Sequence, residues 1–340
     1  MRKTINAFLI LILTITVLTV FSFSPVRLNG FASEAGAIFL TIYPGSRPTA
    51  MGGAFTGLSD DALATYYNQG GMAFVERPNF YLMHANWLPG LYEDMYYDVV
   101  CFVNPVKGWG TIGGNIIYLT TGETEAVDEN GNPKGKFRTF DIAFSLSYAT
   151  KMSPYVGLGV GAKFIYSYLA PPEIVESILH MRGGTGMSWA IDLSVLYHTP
   201  LRGLNLGVAL QNIGPSIQYA SSGEKDPLPR TVRLGVAYKF FNTELNKLNF
   251  LVDLTKVIVD WSGDLKKENE DTWKSIGMEY TYYNLITGRI GYFRDVAGRR
   301  MGLTYGGGIT FRNLKFDIGV DDKLYEFPTS NYRFSLSYTF

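Results

Sequence analysis

Apolar and polar residues alternate with period two through the second half of the chain and much of the first. Phe140, Ile142, Phe144, Leu146 and Tyr148 interleave with Thr139, Asp141, Ala143, Ser145 and Ser147. Trp189, Ile191, Leu193, Val195 and Tyr197 do the same, as do Val232, Leu234, Val236, Tyr238 and Phe240, and then Leu314, Phe316, Ile318 and Val320. Such spacing puts one apolar and one polar face on a strand and fits no 3.6-residue helix. Many runs begin or end on Tyr, Trp or Phe, as the girdles of a membrane barrel require. The reading gives about fourteen strands: 79–88, 93–104, 109–120, 137–149, 154–168, 186–198, 204–213, 230–241, 247–259, 272–283, 286–294, 300–311, 314–321 and 331–340.

The links alternate in length. Tight ones fall at Lys107-Gly108, Met152-Ser153-Pro154, Pro200–Gly203, Asn284-Leu285 and Arg312-Asn313; longer polar ones lie near 121–136, 169–185, 214–229, 260–271 and 322–330. Short turns at one end and long loops at the other are the habit of outer-membrane barrels. The final NYRFSLSYTF sets Tyr332, Phe334, Leu336, Tyr338 and Phe340 on one face, an apolar edge that would invite aggregation unless it closes onto the first strand. The predicted fold is therefore an all-β, transmembrane antiparallel barrel of about 14 strands. A soluble two-sheet sandwich is the competing architecture, but this many aromatic-rich strands would overfill its core.

Composition agrees with this reading. The chain is 15% aromatic and 18% charged, with 37 glycines and 23 tyrosines. Arg2 and Lys3 precede an apolar run, roughly Ala7 to Phe23, and Gly30-Phe31-Ala32 offers a cleavage site, so residues 1–32 read as a secretory signal peptide, the alternative being an uncleaved anchor. Without them the chain carries 27 basic against 30 acidic residues, which argues against nucleic acid as a partner. No second stretch approaches the ~20 apolar residues of a spanning helix. Cys101 is the sole cysteine, so no intramolecular disulfide forms.

Residues 33–77 break the alternation, and residues 78–340 form the expected barrel. The earlier segment is rich in glycine and small residues, with a helix start suggested at Ser59-Asp60-Asp61, where a side-chain oxygen can accept from first-turn amides. It is expected to fold back into the lumen as a plug, into room left by inward glycines such as Gly157, Gly159, Gly161, Gly306 and Gly308, so that no open porin results.

The stretch Gly45-Ser46-Arg47-Pro48-Thr49-Ala50-Met51-Gly52-Gly53-Ala54-Phe55, followed by Asp60-Asp61-Ala62 and Tyr66-Tyr67-Asn68, resembles the N-terminal signature of the PorV/PorQ family. These outer-membrane proteins are related to FadL-type long-chain fatty-acid transporters. Gln211-Asn212-Ile213-Gly214 and Leu228-Pro229-Arg230 fit as well. The chain departs from the family at Asn68-Gln69-Gly70-Gly71, where Asn-Pro-Ala-Gly is usual, and loss of that proline is expected to loosen the turn. The resemblance implies a fourteen-stranded barrel with an N-terminal hatch built on Gly45, Arg47, Met51, Gly52, Gly53, Asp60, Asp61 and Asn68. It implies one of two activities: service in type IX secretion, binding exported cargo or partner proteins, or passage of hydrophobic small molecules through the wall. Fold alone does not choose between them.

Candidate chemistry is sparse. His84, His180 and His198 fall at different levels with no neighbouring Ser or Asp arranged as a triad, so no catalysis is expected. No His/Cys cluster suggests zinc, and no cofactor is implied. Asp60-Asp61 could hold calcium or substrate, but helix capping is the simpler reading. Inward charges (Asp141, Lys163, Asp192, Arg233, Lys239, Asp253, Glu279, Asp317 and Arg333) read as a network holding the plug, or as the lining of a conduit. The run Lys266–Asp271 reads as a solvated loop. Ile174, Ile178, Leu179 and Met181 in the 171–182 loop, with Leu88, Leu91 and Tyr92 in the first outer loop, form the candidate cargo or ligand surface. The expected protein is non-enzymatic and lodged in outer-membrane lipid. Assistance to secretion leads, a hydrophobe transporter is the alternative, and a structural barrel without ligand is a third reading.

Overall fold

A computed structural model describes residues 35–340 except 91–93, 129, 181, 222, 224, 259–264 and 323–328. Fourteen strands close into one barrel in chain order, each antiparallel to the next. They are β1 Asn79–Asn86, β2 Tyr96–Val106, β3 Gly110–Val127, β4 Pro133–Ser153, β5 Val156–Tyr168, β6 Thr185–His198 and β7 Leu204–Ile213. The second half is β8 Arg230–Asn242, β9 Asn246–Ile258, β10 Trp273–Tyr282, β11 Ile286–Asp295, β12 Arg300–Phe311, β13 Leu314–Asp322 and β14 Ser330–Thr339. The seam pairs Asn79 with Thr339 through to Ala85 with Arg333. Arg77 adds a 2.6 Å hydrogen bond from Nε to the carbonyl of Phe340. The apolar edge at the chain end is thus paired.

The alternation sorts residues as expected. Phe144, Leu146, Trp189, Leu234, Phe316 and Phe334 stand on the outer face, while Lys163, Asp192, Arg233, Asp253, Glu279 and Asp317 are buried on the inner one. Aliphatic and aromatic exposure of this extent is what lipid stabilises and water does not. Strands β1 and β2 differ, because Tyr81, Met83, Tyr97, Val99 and Cys101 make their inner face apolar too. They join one buried cluster with Phe39, Leu40, Met51, Phe55, Leu63, Tyr66, Tyr67 and Met72. The core therefore lies against the inner wall, and its apolar side is β1–β3.

Two expectations need correction. The stretch 121–136 is not a loop: β3 and β4 run on together past the last pairings with their outer neighbours, Tyr96↔Thr120 and Phe140↔Tyr168. Beyond the rim there is no lipid to face, so apolar alternation gives way to charge. Lys136 instead meets Glu123 at 2.9 Å across the hairpin. At its tip the Asp128 carboxylate accepts from the amides of Asn130 and Asn132, both at 2.9 Å. The run at 266–271 is solvated at Lys266, Lys267 and Asn269 but is not a plain loop. Lys266–Glu270 fall in a helical turn, Leu265–Glu270, whose Glu268 is buried and pairs with Lys256 at 2.7 Å.

Candidate functional site

Residues 35–78 run along the inner face of the wall as short pieces: a 3-10 turn Ile38–Thr41, helices Ser46–Thr49 and Ala64–Tyr67, and a 3-10 stretch Gln69–Phe74. No piece is long enough to be stable alone. What fixes them is contact with the wall. Gly45, Gly52 and Gly53 have φ of 95°, 68° and 86°, a left-handed backbone that favours glycine. On the wall side, inward glycines admit this backbone to direct contact. A Cβ on Gly291 would stand 2.6 Å from the Cα of Met51, and one on Gly277 2.6 Å from the Met51 carbonyl oxygen. Gly306 and Gly319 similarly receive Ala50 and Ser46, Gly207 and Gly235 receive Thr56, and Gly157 and Gly159 receive Gly70 and Gln69. The result is a collar of glycines on β5, β7, β8 and β10–β13 pressed against the segment.

Polar ties reinforce the collar. Arg47 meets Glu279 through Nε–Oε2 and Nη2–Oε1, both 2.8 Å, and Asp60 and Asp61 through Nη1, both 2.7 Å. Arg289 joins the same Glu279 at 2.8 Å and reaches Asp317 at 2.7 Å. Two-point guanidinium–carboxylate contacts are among the strongest polar interactions available to a side chain. Burial opposes the charge on Arg47, but Asp60, Glu279 and Asp61 outweigh it and hold the guanidinium well above its ordinary value. Burial pushes the Asp61 carboxyl up, against the pull of Arg47.

Ser59-Asp60-Asp61 does not begin the helix as expected. The helix starts at Ala64 without a side-chain cap, Ser59 Oγ donates back to the Phe55 carbonyl, and the acidic pair serves Arg47. Only Asp61 Oδ1 retains an amide partner, Leu63 N at 2.9 Å.

Farther along, Arg233 of β8 sits fully buried over the rings of Tyr43, Tyr66 and Tyr67, 4.9–5.6 Å from their centroids. Its Nε donates to Gln211 Oε1 at 2.6 Å. Such a cage stabilises a desolvated cation without a carboxylate contact. Asp253 Oδ2 accepts from the amides of Phe55 and Thr56 at 2.9 and 2.8 Å.

The turn at Asn68 is held by side chains in place of the missing proline. Asn68 Nδ2 donates to the carbonyls of Thr56 (3.0 Å) and Val195 (2.9 Å), and its Oδ1 accepts from Gly70 N (3.0 Å). Gln69 Oε1 accepts from Ser194 Oγ at 2.8 Å. Gln69 occupies the first position of a helical stretch, where proline is tolerated, so the backbone suits either residue.

The eight predicted N-terminal residues thus fall on one segment, and the wall supplies their partners. Sequence reasoning named Glu279 and Arg233 as inward charges but missed Arg289, the tyrosine cage, and glycines Gly277, Gly291 and Gly319. The available signal was glycine at polar-face positions of strands whose other face is strictly apolar.

The outer-loop surface holds together less well. Leu88 is buried, and its amide donates to Asn331 Oδ1 at 2.8 Å, so it is not an exposed surface residue. Ile174 and Ile178 are half-buried on a helix, Pro172–Leu179. Leu91, Tyr92, Met181 and the side chain of Leu179 lie outside the described residues. His84 pairs with Asp98 on the outer face of β1–β2, and His198 stacks on Phe74 at the turn end. Among the described residues no group of three His, Cys, Asp or Glu could hold a metal.

Fold and inner segment together define a membrane β-barrel with an N-terminal segment packed on its inner wall. Residues 31–263 match the family described as Type IX secretion system protein PorV, and the chain belongs to that family. It is accordingly not an enzyme. No curated protein matches the chain. Among solved structures, the Pseudomonas putida toluene transporter TodX is 14% identical with a TM-score of 0.56, over 93% of this chain and 99% of that one. The Ralstonia pickettii toluene transporter TbuX is 15% identical with a TM-score of 0.55, over 87% and 97%. A Pseudomonas aeruginosa FadL homologue is 11% identical with a TM-score of 0.50, over 87% and 98%. At these identities the likeness is one of fold.

Proposed function

We propose that the protein, after removal of residues 1–32, serves type IX secretion from the outer membrane by holding cargo or partner proteins at its loop end, with residues 35–78 plugging the lumen. The observation that carries this reading is the collar. Backbone-to-backbone contact on β5, β7, β8, β10, β11 and β13, with Ala50 Cβ against Gly306 on β12 and the Arg47–Glu279 tie, leaves the segment no slack to slide. A protein that passes molecules through its lumen gains from a looser hatch. One that presents a rigid docking face gains from a tight one. The candidate face is the rim above β3–β4, where the hairpin stands beside the helix Pro172–Leu179, Gly135 facing Ile174.

The test is isolation of the full chain from its own outer membrane in mild detergent, with mass spectrometry of proteins and lipids. Exported proteins sharing a C-terminal domain support the proposal. Stoichiometric fatty acid or another hydrophobe, with no protein partner, overturns it in favour of transport.

A further inference from the structure

Cations on the inner wall fall into two groups. Those beside the N-terminal segment meet carboxylates: Arg47 and Arg289 share Glu279, Lys163 meets Asp192 at 3.2 Å, Arg333 meets Asp321, and Lys315 stands 3.7 Å from Asp317. At the turn end this matching ceases. Lys151 of β4 and Lys239 of β8 each follow by two residues an alanine buried on the inner face, Ala149 and Ala237. Lys247 of β9 precedes by two residues Asn249, which donates to the inward Glu279. All three lysines therefore point into the mouth, exposed or half-buried, and none meets a carboxylate among the described residues. Lys151 Nζ instead lies 5.3 Å from the ring centroid of Phe74, which stacks on His198 at 4.0 Å.

The turns around this mouth add Lys107, Arg202 and Arg312, all exposed. Across the turns and strand ends that carry these six cations the only acid is Glu244, and Glu76 and Arg77 at the entry to β1 offset each other. The chain after residue 32 nevertheless holds more acidic than basic residues, so charge is segregated along the barrel axis. An unmatched ring of one sign around a low-dielectric mouth sets up a field that concentrates the opposite charge. Lipid phosphates could reach the turn residues from outside, but the wall stands between the bilayer and the three inner-face lysines. A small anion would meet only one or two of the six. We propose that the turn end, which faces the periplasm in outer-membrane barrels, docks an acidic peptide segment of a periplasmic protein. Its carboxylates meet Lys151, Lys239 and Lys247, while Lys107, Arg202 and Arg312 steer its approach. The inference is independent of the secretion reading, which concerns the loop end.

The test uses the full chain in nanodiscs of phosphatidylethanolamine, with both ends open to solvent. The probes are fluorescent peptides of about ten residues, all Glu or all Gln, followed by anisotropy. Saturable binding of the Glu peptide alone is expected, weakened about tenfold at 0.3 M salt, where the screening length falls to about 6 Å. Replacing Lys151, Lys239 and Lys247 together by Gln should weaken it about 10- to 100-fold, and replacing the same three by Arg should leave it near wild type. Gln at Lys225, Lys266 and Lys267, which removes equal charge from the loop end, should have little effect. Equal losses from the two Gln triples would reduce the binding to overall charge and overturn the proposal. So would loss in the Arg triple, which would assign the lysines a structural role, or binding of the Gln peptide. Abolition of binding by phosphatidylglycerol added to the disc would give these cations to the bilayer instead.

Discussion

Gly291→Ala is the sharpest probe of the collar. Gly291 lies on the inner face of β11 in ordinary extended geometry, so alanine is acceptable to its own backbone. The methyl group, however, would arrive 2.6 Å from Met51 Cα and closer still to the amide nitrogen of Gly52. Ordinary contact begins near 3.4 Å, so the segment must retreat by about 1 Å. The obstructing atoms are backbone, and Gly52 is itself held by its 2.8 Å hydrogen bond to Thr304 Oγ1, so no side chain can simply swing aside. Overpacking of this kind costs about 1–3 kcal/mol, and backbone obstruction puts it near the upper figure. Gly288, three residues earlier on the same strand, has nothing within 4 Å of a built Cβ and supplies the control. In thermal unfolding of the detergent-solubilised protein, Gly291→Ala should melt several degrees below wild type and Gly288→Ala within a degree or so. In planar bilayers Gly291→Ala should also raise ion conductance, because displacement of residues 51–52 opens a path beside them. If both variants melt and conduct alike, the segment is not pressed on the wall and the argument for a rigid plug fails.

Glu279→Gln weakens the joint hold on Arg47 and Arg289 at a site only 4% exposed, and should cost about 3–5 kcal/mol. Asp60→Asn, with Asp60 41% exposed and Asp61 still on Arg47, should cost under about 1 kcal/mol; equal melting shifts would discredit the network. Asn68→Ala removes the donor to the Thr56 and Val195 carbonyls and one of the two acceptors of the Gly70 amide, which keeps Ser194 Oγ at 3.0 Å. Exchange at Gly70 should therefore accelerate about threefold in hydrogen–deuterium measurements, and by far more once Ser194→Ala is added; no acceleration in the double variant would show that these side chains do not hold the turn. Hydrogen bonds from Asn132 draw the Asp128 carboxyl down to about 2 from the ordinary 3.8. A depressed folded value steadies the hairpin tip at all pH above the ordinary one and lets go as pH falls through about 2. NMR titration of the Asn132 amide should find its midpoint there, and a midpoint near 4 would show the turn to be loose.

The barrel was legible because lipid imposes a strict rule on one face of each strand, and Trp189 through Tyr197 or Leu314 through Val320 obey it. Where that rule lapses the reading lapsed too. Thr121–Val127 and Pro133–Phe137 are strands without lipid contact, and their charged alternation looked like loop. The inner segment was visible as the absence of alternation, and Arg47, Asn68 and the inward charge Glu279 were named, but which of them meet was not. Glu279, Arg289 and Gly291 lie more than 200 residues away, and only closure of the barrel brings them to Arg47 and Met51. Asp60 shows the same limit: locally it suits a helix start, and a single buried guanidinium overrides that preference. Leu88 looked exposed because it opens the turn Leu88-Pro89-Gly90 in the first outer loop, yet Asn331 from the opposite end of the chain takes its amide and the residue is buried.

The collar also sets an order of assembly. Ser46 Oγ bonds to the carbonyl of Arg333, 287 residues on, and Arg47 to Glu279, 232 residues on. The part of the chain synthesised first therefore waits for partners that emerge last, and contacts of such separation form slowly. Throughout that interval Phe39, Leu40, Phe55, Tyr66 and Tyr67 have no wall to cover them. Once β14 joins β1 the segment is enclosed, and glycines fitted to its backbone leave no clearance for threading it in afterwards. Residues 35–78 then serve as the mandrel around which the last strands are laid, so that an error in them should appear as failed biogenesis before it appears as altered activity.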